Sequence, residues 1–194
     1  MHTQHVRTSG AYVLYNGLFP FQVGPTRKGD KLGVVRLGGH REGDEKAIQT
    51  AEREVLEESS MKINIINSPI TFYKRDWNHS ASKIRTEDEI APILIKGSDP
   101  DSSTAMYLAH SESEPRPSSE TSGLLLLTPK DVHLICKQRI TLNDYLNQHG
   151  RALFKRKLNK NLLLEPFPQL QFLAELFENE TELMMMFMAG RGIS

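Results

Sequence analysis

Three glutamates, Glu54, Glu57 and Glu58, stand at i, i+3 and i+4 in a stretch of strong helix formers, with Arg53 beside them. At that spacing their side chains share one stripe of a helix, where like charges destabilise by a few tenths of a kcal/mol per pair. Something should offset the repulsion. Hard divalent cations such as Mg²⁺ or Mn²⁺ take oxygen ligands and are commonly held by carboxylates together with substrate phosphates. A cation there would neutralise phosphates, polarise a phosphorus centre and lower the pKa of a coordinated water, which then attacks in line. The competing reading is a solvated acidic helix face, which suits a lone glutamate cluster. That reading does not require a glycine turn at Gly39, an arginine at Arg53 and an apolar side at Ile48, Ala51 and Val55, all in register.

The wider array is Gly39, five residues, Glu45, seven residues, then Arg53-Glu54-Val55-Leu56-Glu57-Glu58-Ser59-Ser60-Met61. It resembles the Nudix box, in which glycine, glutamate, Arg-Glu, an aliphatic residue, Glu-Glu, glycine and an aliphatic residue recur at these spacings. Every specified position matches except the last glycine, which here is Ser60. The resemblance implies that Glu54, Glu57 and Glu58 bind Mg²⁺ or Mn²⁺ and that the carbonyl of Gly38 completes the metal shell. It implies that Arg53 and Glu45 hold the helix and loop in shape, and that the general base is an acid of the box or one from a distant loop. Glu120 is the leading loop acid, with Glu114 and Glu112 as competitors. The implied activity is hydrolysis of a nucleoside diphosphate linked to another group. The alternative is a catalytically silent domain of the same fold that senses a nucleotide or binds a protein. At Ser60 a glycine would end the helix in a left-handed conformation, which serine reaches at a cost of roughly 1 kcal/mol.

The elements around the array read as mixed α/β. Ala11 to Val23, open to an interruption at Pro20, and Leu32 to Leu37 read as strands joined by a basic turn, and Gly38-Gly39 as the start of a polar loop. Asp44 is a plausible N-cap for a helix through Glu58 whose apolar side faces a sheet. Ile63 to Tyr73, Ile90 to Lys96, Met106 to His110 and Leu124 to Leu127 read as further strands. Asp76 to Glu89 and Ser111 to Ser122 read as polar loops, the second long enough to reach a site. Beyond Pro129 the patterns turn helical, over roughly Lys130 to Lys137, Leu142 to Lys157 and Gln169 to Met188. The expected architecture, implied by the resemblance, is an α/β/α sandwich with a mixed sheet: a catalytic core over residues 1–129 and a helical extension over 130–194, packed on the core or at a homodimer interface.

Outside the array the signals thin out. Trp77 could stack on a substrate base, and Arg27, with Lys28 and Lys31, could meet a phosphate; an ordinary half-buried aromatic and an exposed basic turn are the competing readings. The seven histidines show no zinc spacing, and Cys136 reads as a core residue. Lysine plus arginine equals aspartate plus glutamate at 24 each, so no overall field favours a nucleic-acid polymer or an anionic membrane. A single cysteine, a polar start to the chain and no run of about 18 apolar residues point to a cytoplasmic protein, and the resemblance implies a small nucleotide as its partner.

Overall fold

The computed structural model describes residues 3, 6–118 and 120–190. Along the chain run β1 (Thr8–Leu14), β2 (Phe19–Pro25), β3 (Leu32–Val35), β4 (Leu37–His40), α1 (Ala47–Ser59), β5 (Asn64–Ile66), β6 (Thr71–Lys74), β7 (Ser82–Ile84), β8 (Leu94–Lys96), β9 (Thr104–His110) and β10 (Gly123–Leu127). They are followed by α2 (Pro129–Lys137), α3 (Leu142–Asn147), β11 (Arg151–Phe154), β12 (Leu164–Pro166), α4 (Pro168–Asn179) and α5 (Thr181–Met188). The class is mixed α/β, as expected, with the strands divided between two sheets. One has the order β4-β1-β9-β8-β6-β7, with β5 also on β9; the other has the order β11-β10-β2-β3-β12. Both are mixed, through the parallel pairs β1–β9, β6–β8 and β3–β12.

Period-two alternation sorts the side chains into two cores. From β1, Ala11 and Val13 meet Ala47, Ala51 and Val55 of α1, while Tyr12 and Leu14 join Phe19, Phe21 and the C-terminal helices. Strand β10, buried at all five residues, divides likewise, with Leu124 and Leu126 on the α1 side and Leu125 and Leu127 on the other. Thus α1 covers one face of the first sheet, and α2, α4 and α5 close the core that the two sheets share.

Several boundaries differ from the sequence reading, each for a local reason. Ala11 to Val23 is two strands, because Asn16 and Gly17 both take positive φ (48° and 77°) and turn the chain between sheets. An Asn-Gly pair is the sequence signal for such a turn. Pro20 lies inside β2, opposite Leu126. Leu32 to Leu37 is also divided: the chain leaves the second sheet at Val35 and enters the first at Leu37. Gly38-Gly39 is strand, with Gly38 opposite Gly10 and Gly39 opposite Ser9. Strand β7 interrupts the loop expected over Asp76 to Glu89 by pairing with β6. The helix expected over Leu142 to Lys157 stops at Asn147, and β11 follows on the edge of β10. Strands β11 and β12 both join the second sheet, so the boundary expected at residue 129 runs through a shared sheet.

Candidate active site

Helix α1 begins two residues later than Asp44 would place it. Its N-cap is Lys46, whose backbone N–H donates to the Gln49 side chain at 2.8 Å. Asp44 and Glu45 stay in the preceding turn, where the Glu45 carboxylate accepts from Glu42 N (3.1 Å) and Thr50 Oγ1 (2.9 Å). At its other end α1 stops at Ser60, which takes φ 60° and ψ 15° and donates its N–H to the Leu56 carbonyl at 2.8 Å. The left-handed stop expected of a glycine is present with serine in it.

Arg53 ties the site together. Its Nε and Nη2 donate to the two Glu45 oxygens (2.7 and 3.0 Å), and Nη2 also donates to the His40 carbonyl (2.8 Å). Nη1 donates to Glu54 (2.9 Å) and to Glu57 (3.0 Å). The guanidinium beside it holds the Glu45 carboxyl down at about 2, and these acids in turn raise the Arg53 pKa. Arg53 therefore ties the 40–46 turn to α1 and shares its single positive charge among Glu45, Glu54 and Glu57.

Glu58 behaves differently. Its Oε2 accepts from the Gly38 N–H at 2.7 Å. Burial, helped by the charge of Glu54, raises its carboxyl to about 7 despite that hydrogen bond and the nearby Arg36 and Gln22 side chains. The glycines of β4 make this close approach possible. A Cβ on Gly39 would lie 2.4 Å from the Glu54 carboxylate; one on Gly38, at φ 146°, would lie 2.4 Å from the Ser9 carbonyl oxygen. The backbone of β4 thus runs directly against two of the three acids. Among the described residues no group of three acidic, histidine or cysteine side chains is already gathered to metal-holding geometry. The donor set nonetheless suits a hard divalent cation: three carboxylates on one stripe, one of them half-buried, beside the Gly38-Gly39 backbone.

The Ser111–Ser122 loop reaches the site. It caps the last turn of α1, with Arg116 N donating to the Ser59 carbonyl (2.8 Å) and both Ser118 N (3.2 Å) and Thr121 Oγ1 (3.1 Å) donating to the Glu58 carbonyl. These bonds satisfy carbonyls that a helix end leaves without internal partners. Glu120 is exposed and, with Gln22, Val35, Ser122 and Phe167, borders a cleft of about 240 Å³. Glu112 is exposed, and Glu114 pairs with Arg116 at 3.0 Å. Arg27 is exposed on the β2–β3 turn, whose Thr26 borders the same cleft as Glu120; Lys31 pairs with Glu165 at 3.4 Å. Trp77 lies elsewhere. It is half-buried in a cleft with Phe72, Lys83 and Phe172 that includes none of the three clustered acids. Cys136 is half-buried, its thiol pushed up to about 11 by burial, which agrees with a packing role.

Arg36 is a site residue that pattern reading passes over. It sits where the chain crosses between sheets and is 7% exposed, and its Nε has no hydrogen-bond partner. Its charge faces Glu58 and Glu54, and Gln22 donates to its carbonyl at 3.1 Å. The signal was a lone cation in the apolar run Val34-Val35-Arg36-Leu37.

No family model matches the chain, and no curated protein matches it. Among solved structures, its fold is similar to that of a Nudix-family hydrolase from Clostridium perfringens, at 17% identity and TM-score 0.48 over 66% of this chain and 85% of that one. A putative Nudix hydrolase family member from Chromobacterium violaceum is similar over 97% of this chain and 90% of that one, at 16% identity and TM-score 0.45. A C. elegans Ap4A hydrolase binary complex gives 14% identity and TM-score 0.42 over 64% and 82%.

Proposed function

We propose that the chain is a Nudix-type hydrolase that cleaves the diphosphate linkage of a nucleoside diphosphate joined to another group, with water as nucleophile. The observation that carries this reading is the apposition of the Glu54-Glu57-Glu58 stripe to the Gly38-Gly39 backbone, with Glu58 bonded to the Gly38 N–H at 2.7 Å. Glu54, Glu57 and Glu58, with the Gly38 carbonyl, are the groups that would hold Mg²⁺ or Mn²⁺. When bound, the cation would supply charge neutralisation at phosphorus and acidify a water. Arg53 holds Glu54, packed against Gly39, together with the exposed Glu57. Glu120, or one of the box acids, takes the proton from the attacking water. Arg27, beside the Glu120 cleft, and Trp77, from the separate cleft it shares with Phe72 and Phe172, are the proposed substrate contacts. A cytoplasmic setting suits a small nucleotide substrate.

One observation favours a second reading, a silent nucleotide-sensing or protein-binding domain: Arg53 donates to both Glu54 and Glu57 and would compete with a cation for them. The two readings part in one experiment. Nucleoside triphosphates, ADP-ribose, dinucleotide polyphosphates, nucleotide sugars and coenzyme A derivatives are offered with Mg²⁺ and Mn²⁺ to the wild type and to Glu57→Gln. Turnover lost in the variant supports hydrolysis. No turnover of any compound, or full activity in Glu57→Gln, refutes it, and tight binding without cleavage supports the sensor.

A further inference from the structure

The balance of 24 cations and 24 acids conceals a local excess. From Arg151 to Lys160 the chain reads Arg-Ala-Leu-Phe-Lys-Arg-Lys-Leu-Asn-Lys, five cations and no acid. All five are exposed. Among the described residues, Arg151, Lys155, Lys157 and Lys160 enter no ion pair, whereas Lys31, Lys74, Lys83 and Lys137 each do.

The segment has a defined shape. It begins as β11, the edge strand of the second sheet, and is pinned where it leaves that sheet by Lys155 N and Arg156 N, which both donate to the Ser122 carbonyl at 3.0 Å. Asn161 N donates to the Asn159 side chain at 3.0 Å and closes the far end. Between these ties lies an open cleft of about 730 Å³ lined by Phe154, Arg156, Lys157, Leu158, Asn159 and Lys160. Phe154 is 39% exposed, and the Lys160 ammonium stands 6.0 Å from its ring centre.

Cations on and just beyond an edge strand, here Arg151 and the lysines that follow β11, can serve merely to discourage pairing with another chain. An exposed phenyl ring among them works against that purpose and calls for a ligand. A basic groove with an aromatic platform is what holds single strands: cations follow the phosphates and a base stacks on the ring, with little regard to sequence. A fatty bilayer would need a protruding apolar face, and here the ring stands in a concavity. We propose that the Arg151–Lys160 segment is a binding site for single-stranded nucleic acid, with Phe154 as the stacking platform. The site is separate from the α1 acids and does not depend on their reading.

The test is fluorescence anisotropy of the full chain with a labelled oligouridylate of about fifteen nucleotides, against the same sequence as duplex and against phosphatidylserine vesicles. Saturable single-strand binding is expected. With up to five phosphates neutralised, affinity should fall about a hundredfold between roughly 50 and 200 mM salt. Phe154→Leu, which keeps an apolar residue on the edge strand, should weaken binding about fivefold or more by removing the ring. Joint Lys155→Glu and Lys157→Glu should abolish binding, with thermal melting of both variants confirming that they fold. No binding at low salt, equal affinity for duplex with no effect of Phe154→Leu, or binding to vesicles in place of the oligonucleotide would each overturn the proposal.

Discussion

Burial of Glu58 links a single proton to the stability of the fold. Its carboxyl stands at about 7 in the native chain against an ordinary 4.5, and burial is the main cause. A carboxyl raised in this way contributes its stability fully below the unfolded value and loses it as pH rises through the folded one. The metal-free protein is therefore expected to weaken between about pH 4.5 and about pH 7 relative to Glu58→Gln, which has no proton to lose. Urea midpoints of the two proteins across that window measure the difference, and parallel curves would refute it. Ser60 offers a second handle on the same helix. Its left-handed φ of 60° costs roughly 1 kcal/mol that glycine would not incur, partly offset by the greater freedom of glycine in the unfolded chain. Ser60→Gly is expected to raise stability by about 0.5 kcal/mol without altering turnover, since the residue is exposed and offers no ligand. Denaturant titration beside a steady-state assay decides both halves.

The strand β4 and the helix α1 are the elements whose fit makes the site, and two adjacent glycines contribute to it in different ways. A methyl group on Gly39 would meet the tip of Glu54, a flexible side chain that can swing away at little cost. A methyl group on Gly38 would meet the Ser9 carbonyl and the Gly10 Cα, which are fixed by strand pairing, at a φ that disfavours any side chain. Gly38→Ala is thus expected to lose about 1–3 kcal/mol of stability. Gly39→Ala is expected to fold normally and to lose Mg²⁺ affinity and at least about tenfold in activity, as small displacements of reacting groups do. Equal melting losses in the two variants would contradict this division. The helix and its apolar stripe were legible in the sequence because spacing on a helix decides which side chains meet, whereas Glu45, which precedes the helix, could be set beside Arg53 only through the resemblance. The placement of Gly38 and Gly39 in a strand was not, because it depends on Gly10, which a window around the motif does not contain. Arg36 stayed hidden for the same reason: the crossing between sheets exists only once both have formed. The cut between β1 and β2 was readable in Asn16-Gly17, and the apolar residues on either side masked it.

The whole molecule is a pair of sheets whose shared core is closed from the C-terminal side. Phe187, near the end of α5, is fully buried; its ring lies 6.2 Å from that of Phe19 in the second sheet and stacks at 4.9 Å on His110 in the first. Its carbonyl is also within 3.1 Å of His110 Nε2. Phe172 similarly meets Phe72 of the first sheet edge-on at 5.9 Å, and Phe177 meets Phe19 at 5.7 Å. A sequence reading sees these residues as one face of apolar helices and cannot say what they cover, because their partners lie more than 70 positions earlier in the chain. If the terminal helices were an appendage on a self-sufficient core, removing the Phe187 ring would loosen α5 and leave both sheets as stable as before. With the ring touching both sheets, Phe187→Ala is expected to cost about 3–5 kcal/mol, the usual penalty for emptying a buried phenylalanine site, and the loss should be felt everywhere at once. Hydrogen exchange resolves the two cases: protection is expected to fall together in β1, β2 and β9, whereas a fall confined to α5 would show that the sheets hold each other without it.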